Sequence, residues 1–216
     1  QAYGALLTEP DAALRDKTVG RVHLNVCPLT GQVSIHNDGG GIPATKWREG
    51  EDLYNVTVLF GRYRSGTNLS EASSKGLIQG GRNGMGVSLS NTFAKRFRVV
   101  TGCPESKTLF SQTWEDNLSV EHPPKVKVYK AKTGFVHVDC LPDWGALGMP
   151  PPPPEGLPKG LLHALARRAS DVAICSALRP IKVTMTMEEA PQELPPLPRP
   201  PPATGCTLPL RGGAEY

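Results

Sequence analysis

The chain has 216 residues, 20% of them charged, and a formal net charge of +4. This length allows one hydrophobic core with a small appendage but not a machine of several domains. Lysines and arginines are spread along the chain, so charge alone does not indicate a nucleic-acid-binding protein. The five cysteines form no Cys-x-x-Cys pair, which argues against a disulfide framework or a zinc site and favours reduced intracellular thiols. No apolar run approaches the roughly 20 residues that span a bilayer, and we expect a soluble protein.

A β-hairpin is the first predicted element, over residues 21–38. Apolar residues alternate on both sides of a Pro-Leu-Thr-Gly turn at residues 28–31, which predicts two strands with one buried face. The sequence Gly-Gly-Gly-Ile-Pro at residues 39–43 ends the second strand, because the glycines pack no side chains and Pro43 donates no ladder hydrogen bond. A loop is therefore expected after the hairpin.

Residues 64–75 are polar and rich in serine and glycine, a composition typical of a mobile surface segment such as a lid. A glycine-rich run at residues 80–86 then leads into a helix, which is predicted from the one-turn spacing of Leu89 and Phe93. Period-2 patterns predict strands at residues 97–99, 126–128 and 136–140.

The C-terminal third is divided by prolines. The run at residues 150–154 favours extended geometry, and helical spacing over residues 160–178 is followed by a strand at residues 181–187. We predict one domain over residues 1–189, with a proline-rich insertion near 149–158 and a disordered proline-rich tail over 190–216. The Pro-x-x-Pro at residues 195–198 is also typical of SH3-domain ligands, a role that we do not favour.

The glycine-rich run Gly-Gly-Arg-Asn-Gly-Met-Gly at residues 80–86 is the most specific chemical feature of the sequence. Unpaired N–H groups at a helix N-terminus attract anions, and glycines allow the backbone to approach a phosphate chain closely. The Gly-Lys-Ser/Thr ending of a Walker loop is absent, and two glycines alone are no dinucleotide fingerprint. The run is compatible with a phosphate-binding loop of another kind, or with a tight glycine turn before a helix.

A second feature lies at the end of the predicted hairpin, where Asn37 and Asp38 precede three glycines. A side-chain carbonyl at a strand end can accept a hydrogen bond from an exocyclic amine, and glycines leave room for a flat base. A simple glycine-rich exit from a hairpin would show the same pattern.

Taken together and in order, five motifs resemble the ATPase domain of eukaryotic type II DNA topoisomerases. They are Asn-Asp-Gly-Gly-Gly-Ile-Pro at 37–43, Leu-Phe-Gly at 59–61, Ser-Gly-Thr-Asn at 65–68, the run at 80–86, and Phe-Ser-Gln-Thr-Trp-Glu-Asp-Asn at 110–117. The resemblance covers most of residues 11–187. Bacterial gyrase, mismatch-repair proteins and histidine kinases share the first and fourth motifs but lack the Gln-Thr-Trp block, which argues against another branch of this ATPase superfamily.

The resemblance implies a two-layer α/β sandwich, in which a mixed sheet carries helices on one face and ATP with Mg²⁺ lies between the layers. It also implies that Asn37 faces the adenine, that the 65–68 motif contacts ribose or phosphate, and that residues 80–86 wrap the triphosphate. The nucleotide-binding residues predicted in this way are Asn37, Gly39, Gly41, Gly66, Thr67, Asn68, Gly81, Arg82, Asn83, Gly84, Met85, Gly86, Val87 and Ser88.

The chain departs from the family at the positions that hydrolyse ATP. The family's first helix carries a Glu that activates water and an Asn that holds Mg²⁺, and alignment on Asp11 places Gly4 and Thr8 there. A start from Gln1 instead puts Ala5 at the metal position. Neither alignment supplies the base and the metal ligand, and Ser88 replaces a phosphate-neutralising lysine of the family. We predict weak or absent hydrolysis and weaker binding of ATP.

Two hypotheses follow from this sequence. The first is the ATP-binding domain of a type II topoisomerase, whose intact form is a nuclear homodimer that passes one DNA duplex through a break in another; loss of the first-helix motif would then reflect a truncated or misannotated N-terminus. The alternative is a non-enzymatic protein that keeps the fold as a nucleotide sensor or scaffold. An upstream Glu-x-x-x-Asn motif would favour the first.

Overall fold

A computed structural model describes residues 18–48, 51–63, 85–175 and 181–187, and the backbone of 208–210. Within them, nine strands form one mixed sheet. In chain order the elements are β1 (Arg21–Val26), β2 (Val33–Gly39), α1 (Asn55–Gly61), α2 (Gly86–Thr92), β3 (Ala94–Cys103), β4 (Thr108–Glu115), β5 (Val120–Glu121), β6 (Lys125–Val128), β7 (Gly134–Pro142), α3 (Lys159–Cys175), β8 (Lys182–Met187) and β9 (Leu208–Leu210).

The strand order is β5-β4-β3-β7-β2-β1-β8-β9, with β6 also paired to β4. The pairs are antiparallel except β1 with β8, which run parallel. The parallel pair follows from the connection before β8. Helix α3 precedes β8 and packs on the sheet, so the chain crosses over the sheet before β8 pairs with β1. The predicted hairpin is confirmed, with Val22 opposite Asn37 and Val26 opposite Val33.

The three helices cover one face of the sheet in two groups. Helix α3 packs on β1, β2 and β8 around Leu24, Ile35 and Val183. Helix α1 and Val87 of α2 pack on β3, β4 and β7, around Phe97 and Trp114 among others. Cross-strand registers place both sets of strand residues on the same face. The mixed sheet with helices on one face is therefore confirmed.

The proline-rich parts of the chain behave differently from one another. Residues 150–158 contain turns and extended segments, with the first turn of α3 starting at Lys159. Residues 208–210, which belong to the tail predicted to be disordered, instead form β9 and pair with β8, with Leu210 opposite Val183. The composition of the tail does not predict this pairing, because β9 is stabilised by hydrogen bonds to β8, which is distant in sequence.

Two further expectations concern the cysteines and membranes. Within the described part of the chain, Cys27, Cys103 and Cys140 are not joined in disulfides. Among the described helices, none is both long enough and apolar enough to cross a bilayer.

Candidate functional site

Asn37 lies on the helix-covered face of β2 and is only 6% exposed. Its neighbour two residues earlier, Ile35, belongs to the core under α3, whereas its cross-strand partner Val136 belongs to the core under α1 and α2. The Asn37 side chain is thus a polar group at the boundary of two apolar clusters. Its Oδ1 accepts a hydrogen bond from the Val136 amide at 3.1 Å. A carbonyl oxygen has two lone pairs, so Oδ1 retains capacity to accept from an amine.

The glycine loop after β2 is held against the end of β3. Gly41 has a φ of +70°, and a Cβ at this position would lie 2.1 Å from the Gly102 carbonyl oxygen. The Ile42 amide donates to Thr101 Oγ1 at 2.8 Å, and Thr101 donates to the Phe135 carbonyl at 2.9 Å. The space that Gly41 leaves is therefore filled by the protein backbone, while Gly39 pairs with Gly134 of β7.

Asp38 lies on the opposite face of the sheet and has a structural role. Its Oδ1 accepts from the amides of Gly20 and Arg21 at 2.8 and 2.6 Å, and Oδ2 lies 3.3 Å from Arg21 Nε. These bonds fix the start of β1 beside the end of β2. Of the adjacent pair, only Asn37 therefore faces the helices.

Helix α2 begins at Gly86, as the glycine-rich run predicts. Met85 is its N-cap and makes no side-chain capping bond, so no side chain of the cap occupies the amides of the first turn. A Cβ added to Gly86 would meet no described atom within 4 Å. Among the described residues, no atom therefore lies against the Gly86 side of the helix, whereas Val87 packs against the core.

Ser88 points into the protein interior. It is completely buried, and its Oγ donates to the Arg62 carbonyl at 2.6 Å. The resemblance assigns a phosphate-binding lysine to this position, but here the side chain joins α2 to the end of α1. Ser88 stays a predicted nucleotide-binding residue, although its hydroxyl is engaged within the protein.

The Gln-Thr-Trp block lies inside β4 and holds neighbouring elements together. Gln112 Oε1 accepts from Thr57 of α1 at 2.6 Å, and Gln112 Nε2 donates to the His122 carbonyl at 3.0 Å. Trp114 is fully buried and donates from Nε1 to Glu121 at 3.0 Å. Sequence reasoning assigned no role to Thr57, Thr101 or Gln112. The sequence did carry one signal for such residues, a polar residue at a buried position of an alternating strand. Thr101 follows Phe97 and Val99 in this way.

Several predicted residues lie outside the described part of the chain. These are Gly66, Thr67, Asn68, Gly81, Arg82, Asn83 and Gly84, together with Gly4 and Thr8 of the first-helix motif. Asn37, Gly39, Gly41 and Met85 to Ser88 are described. Among the described residues, no group of three or more His, Cys, Asp or Glu side chains is arranged to hold a metal ion.

The chain is similar in sequence to known DNA topoisomerases 2. The chain is 32% identical over 167 residues to DNA topoisomerase 2 of Candida glabrata and 30% identical over 186 residues to DNA topoisomerase 2-beta of Gallus gallus. These alignments cover 77% and 86% of the chain but 11% of each relative, so the chain spans about a ninth of their length. No protein-family model matches the chain.

Solved structures place the likeness in one region of those enzymes. The ATPase region of Saccharomyces cerevisiae topoisomerase II has a TM-score of 0.71 at 29% identity, over 82% of this chain and 44% of that one. The ATPase and transducer domains of Balamuthia mandrillaris topoisomerase II give 0.70 at 29%, over 84% and 45%. The fold is thus that of the type II topoisomerase ATPases. The chain is a homologue of the ATPase region of eukaryotic DNA topoisomerase II.

Proposed function

We propose that this chain is an ATP-binding domain of a type II DNA topoisomerase. The proposal rests on two positions in this fold: Asn37 lies on the helix-covered face of the sheet, and Gly86 begins α2. The chain is 29% identical to the yeast ATPase region, which has the same fold. In this proposal the adenine amine donates to Asn37 Oδ1, and the triphosphate lies at the N-terminal end of α2. Gly66, Thr67, Asn68 and residues 81–84 would complete the contacts, as the resemblance implies.

The described residues suit a nucleotide. An amide oxygen at a boundary between apolar clusters suits a base, and backbone N–H groups without a capping side chain suit an anion. We propose that Mg²⁺ enters with ATP as its counter-ion.

The whole-protein role extends beyond these residues. In the intact enzyme we propose that two such domains dimerise around ATP and that the assembly acts on DNA in the nucleus, through domains that this chain does not contain. Gly4 and Thr8 in place of the family's Glu and Asn favour binding without efficient hydrolysis. Loss of a general base alone lowers rates by about 10²–10⁴.

A second candidate is a nucleotide sensor or scaffold that never hydrolyses ATP. Its specific support is Ser88, which replaces a lysine and donates its hydroxyl to Arg62 rather than offering a positive charge. A steady-state assay of phosphate release tests this second candidate. Turnover that depends on added ATP contradicts the sensor, whereas nucleotide binding with no turnover is expected of both candidates.

The substitution Gly86→Ala tests the proposed phosphate site. The added methyl meets no described atom within 4 Å, so the fold should tolerate it, and alanine is favoured over glycine within helices by about 0.5–1 kcal/mol. If phosphates lie against Gly86, calorimetric titration with a non-hydrolysable ATP analogue should show binding weakened by roughly tenfold, about 1.4 kcal/mol.

Gly160→Ala is the matched control. Gly160 also lies in the first turn of a helix, α3, and a Cβ there also meets no described atom within 4 Å. This variant should bind the analogue as the unmodified chain does. Equal affinity in all three proteins would show that no phosphate approaches Gly86 and would remove α2 from the proposed site.

A further inference from the structure

The C-terminal end of α1 is bonded to the β4–β5 hairpin through a charged cluster. Arg62 Nη1 and Nη2 donate to the two carboxylate oxygens of Glu121 at 2.6 and 3.3 Å. The same carboxylate accepts from Trp114 Nε1, and Gly61 packs so closely that an added Cβ would lie 3.1 Å from that nitrogen. A guanidinium fork on a carboxylate fixes both distance and orientation, which a single charge does not.

The same end of α1 is also bonded to α2. Ser88 Oγ donates to the Arg62 carbonyl, Asn91 Nδ2 donates to the Phe60 carbonyl at 3.2 Å, and the Tyr63 hydroxyl pairs with Thr92. Ser88 and Asn91 are buried, so the face of α2 that contacts α1 is polar and is held by specific bonds rather than by apolar packing alone.

Arg62 therefore stands between two sets of contacts. Its side chain is fixed by Glu121 on the sheet, and its main-chain carbonyl accepts from the first turns of α2. Leu89 of α2 and the C-cap residue Phe93 are each 38% exposed, so these two side chains are only partly buried, whereas Val87 packs against the core. A displacement of Glu121 would be passed to α2 through one residue.

We propose that Arg62 and Glu121 are positioning residues that set the place of α2, and hence of the Gly86 end of the candidate site, relative to the sheet. This inference deepens the proposed function and rests on it for its effect on nucleotide. Neither side chain is assigned a contact with nucleotide. They act through the bond of Ser88 to the Arg62 carbonyl.

The test compares two isosteric changes on one hairpin. Glu121→Gln removes the charge that holds Arg62, while Glu115→Gln removes a similarly exposed carboxylate whose ion pair, at 2.9 Å, is with His122 and not with Arg62. Two quantities are measured for each: the affinity for a non-hydrolysable ATP analogue, and amide hydrogen exchange in α2. Arg62→Lys adds an intermediate case, because it keeps the charge and loses the fork.

Glu121→Gln should speed exchange of α2 amides and weaken the analogue by roughly threefold to fivefold, the range of half-exposed ion pairs. Arg62→Lys should show a smaller loss, and Glu115→Gln should change neither quantity. If Glu121→Gln changes α2 exchange and affinity no more than Glu115→Gln, the inference is overturned. If the unmodified chain binds no analogue, the proposed function fails, but exchange in α2 still decides whether the cluster positions the helix.

Discussion

Histidines occupy neighbouring positions on the face of the sheet opposite the described helices. His36 lies opposite His23 on β1 and His137 on β7, and its ring stacks on Phe135 at a centroid distance of 5.6 Å. Burial and the neighbouring His137 lower the pKa of His36 from 6.5 to about 4, and His23 acts in the same direction, while the nearby Asp38 opposes the shift. His36 is therefore neutral in the folded chain near pH 7.

This depressed pKa has a consequence for stability. Between pH 6.5 and pH 4 the unfolded chain binds a proton at His36 that the folded chain does not, so stability falls as the pH is lowered. The contribution lost between pH 7 and pH 5 is up to about 2 kcal/mol. Urea unfolding of His36→Phe, which keeps a ring against Phe135, should show a weaker pH dependence than the unmodified chain. Parallel curves for the two proteins would contradict this assignment.

Asn37 shows what a sequence can predict for single residues and what it cannot. Its place at a strand end and its chemistry follow from neighbouring residues, because alternation and glycines are local signals. The bonds of Ser88 to Arg62 and of Gln112 to Thr57 join residues 26 and 55 positions apart. Local sequence patterns carry no information about partners so far apart in the chain. These two hydrogen bonds were therefore not predicted.

At the scale of elements, close backbone contacts hold the glycine loop against the end of β3. The loop after β2 contacts β3 where Gly41 meets Gly102, and Gly134 meets the backbone of Gly39 and Gly40. A side chain at Gly41 or Gly134 would separate the strand ends. The predicted hairpin, the α2 and α3 helices and β8 were confirmed, since each has a periodic apolar pattern. β9 has only three residues and depends on β8 for its hydrogen bonds.

Gly41→Ala should lower stability by more than about 2 kcal/mol, because the substitution combines a positive φ with a backbone clash. Gly148→Ala isolates the first effect: its φ is +68° and an added Cβ meets no described atom within 4 Å. The control should lose about 1–2 kcal/mol. Chemical denaturation measures both changes. Equal losses would mean that the loop moves away from β3 without cost.

At the scale of the molecule, the helices divide the covered face of the sheet into two apolar clusters, and Asn37 lies where they adjoin. This arrangement leaves a polar acceptor at the boundary rather than in either cluster. Length and composition predicted a single domain. They did not predict that the core is divided into two clusters, because this division depends on the order of strands in the finished sheet. The resemblance to topoisomerase ATPases supplied the fold, and 29% identity to a solved ATPase region supports it.

Isothermal titration of the chain with Mg²⁺ and a non-hydrolysable ATP analogue tests the central claim most directly. Asn83→Asp, which adds a negative charge to the predicted phosphate loop, serves as the comparison. An ATP-binding domain should give saturable heat and a raised melting temperature, both lost in the variant. Absence of heat and of any shift in melting temperature, in a chain that still melts cooperatively, would contradict ATP binding.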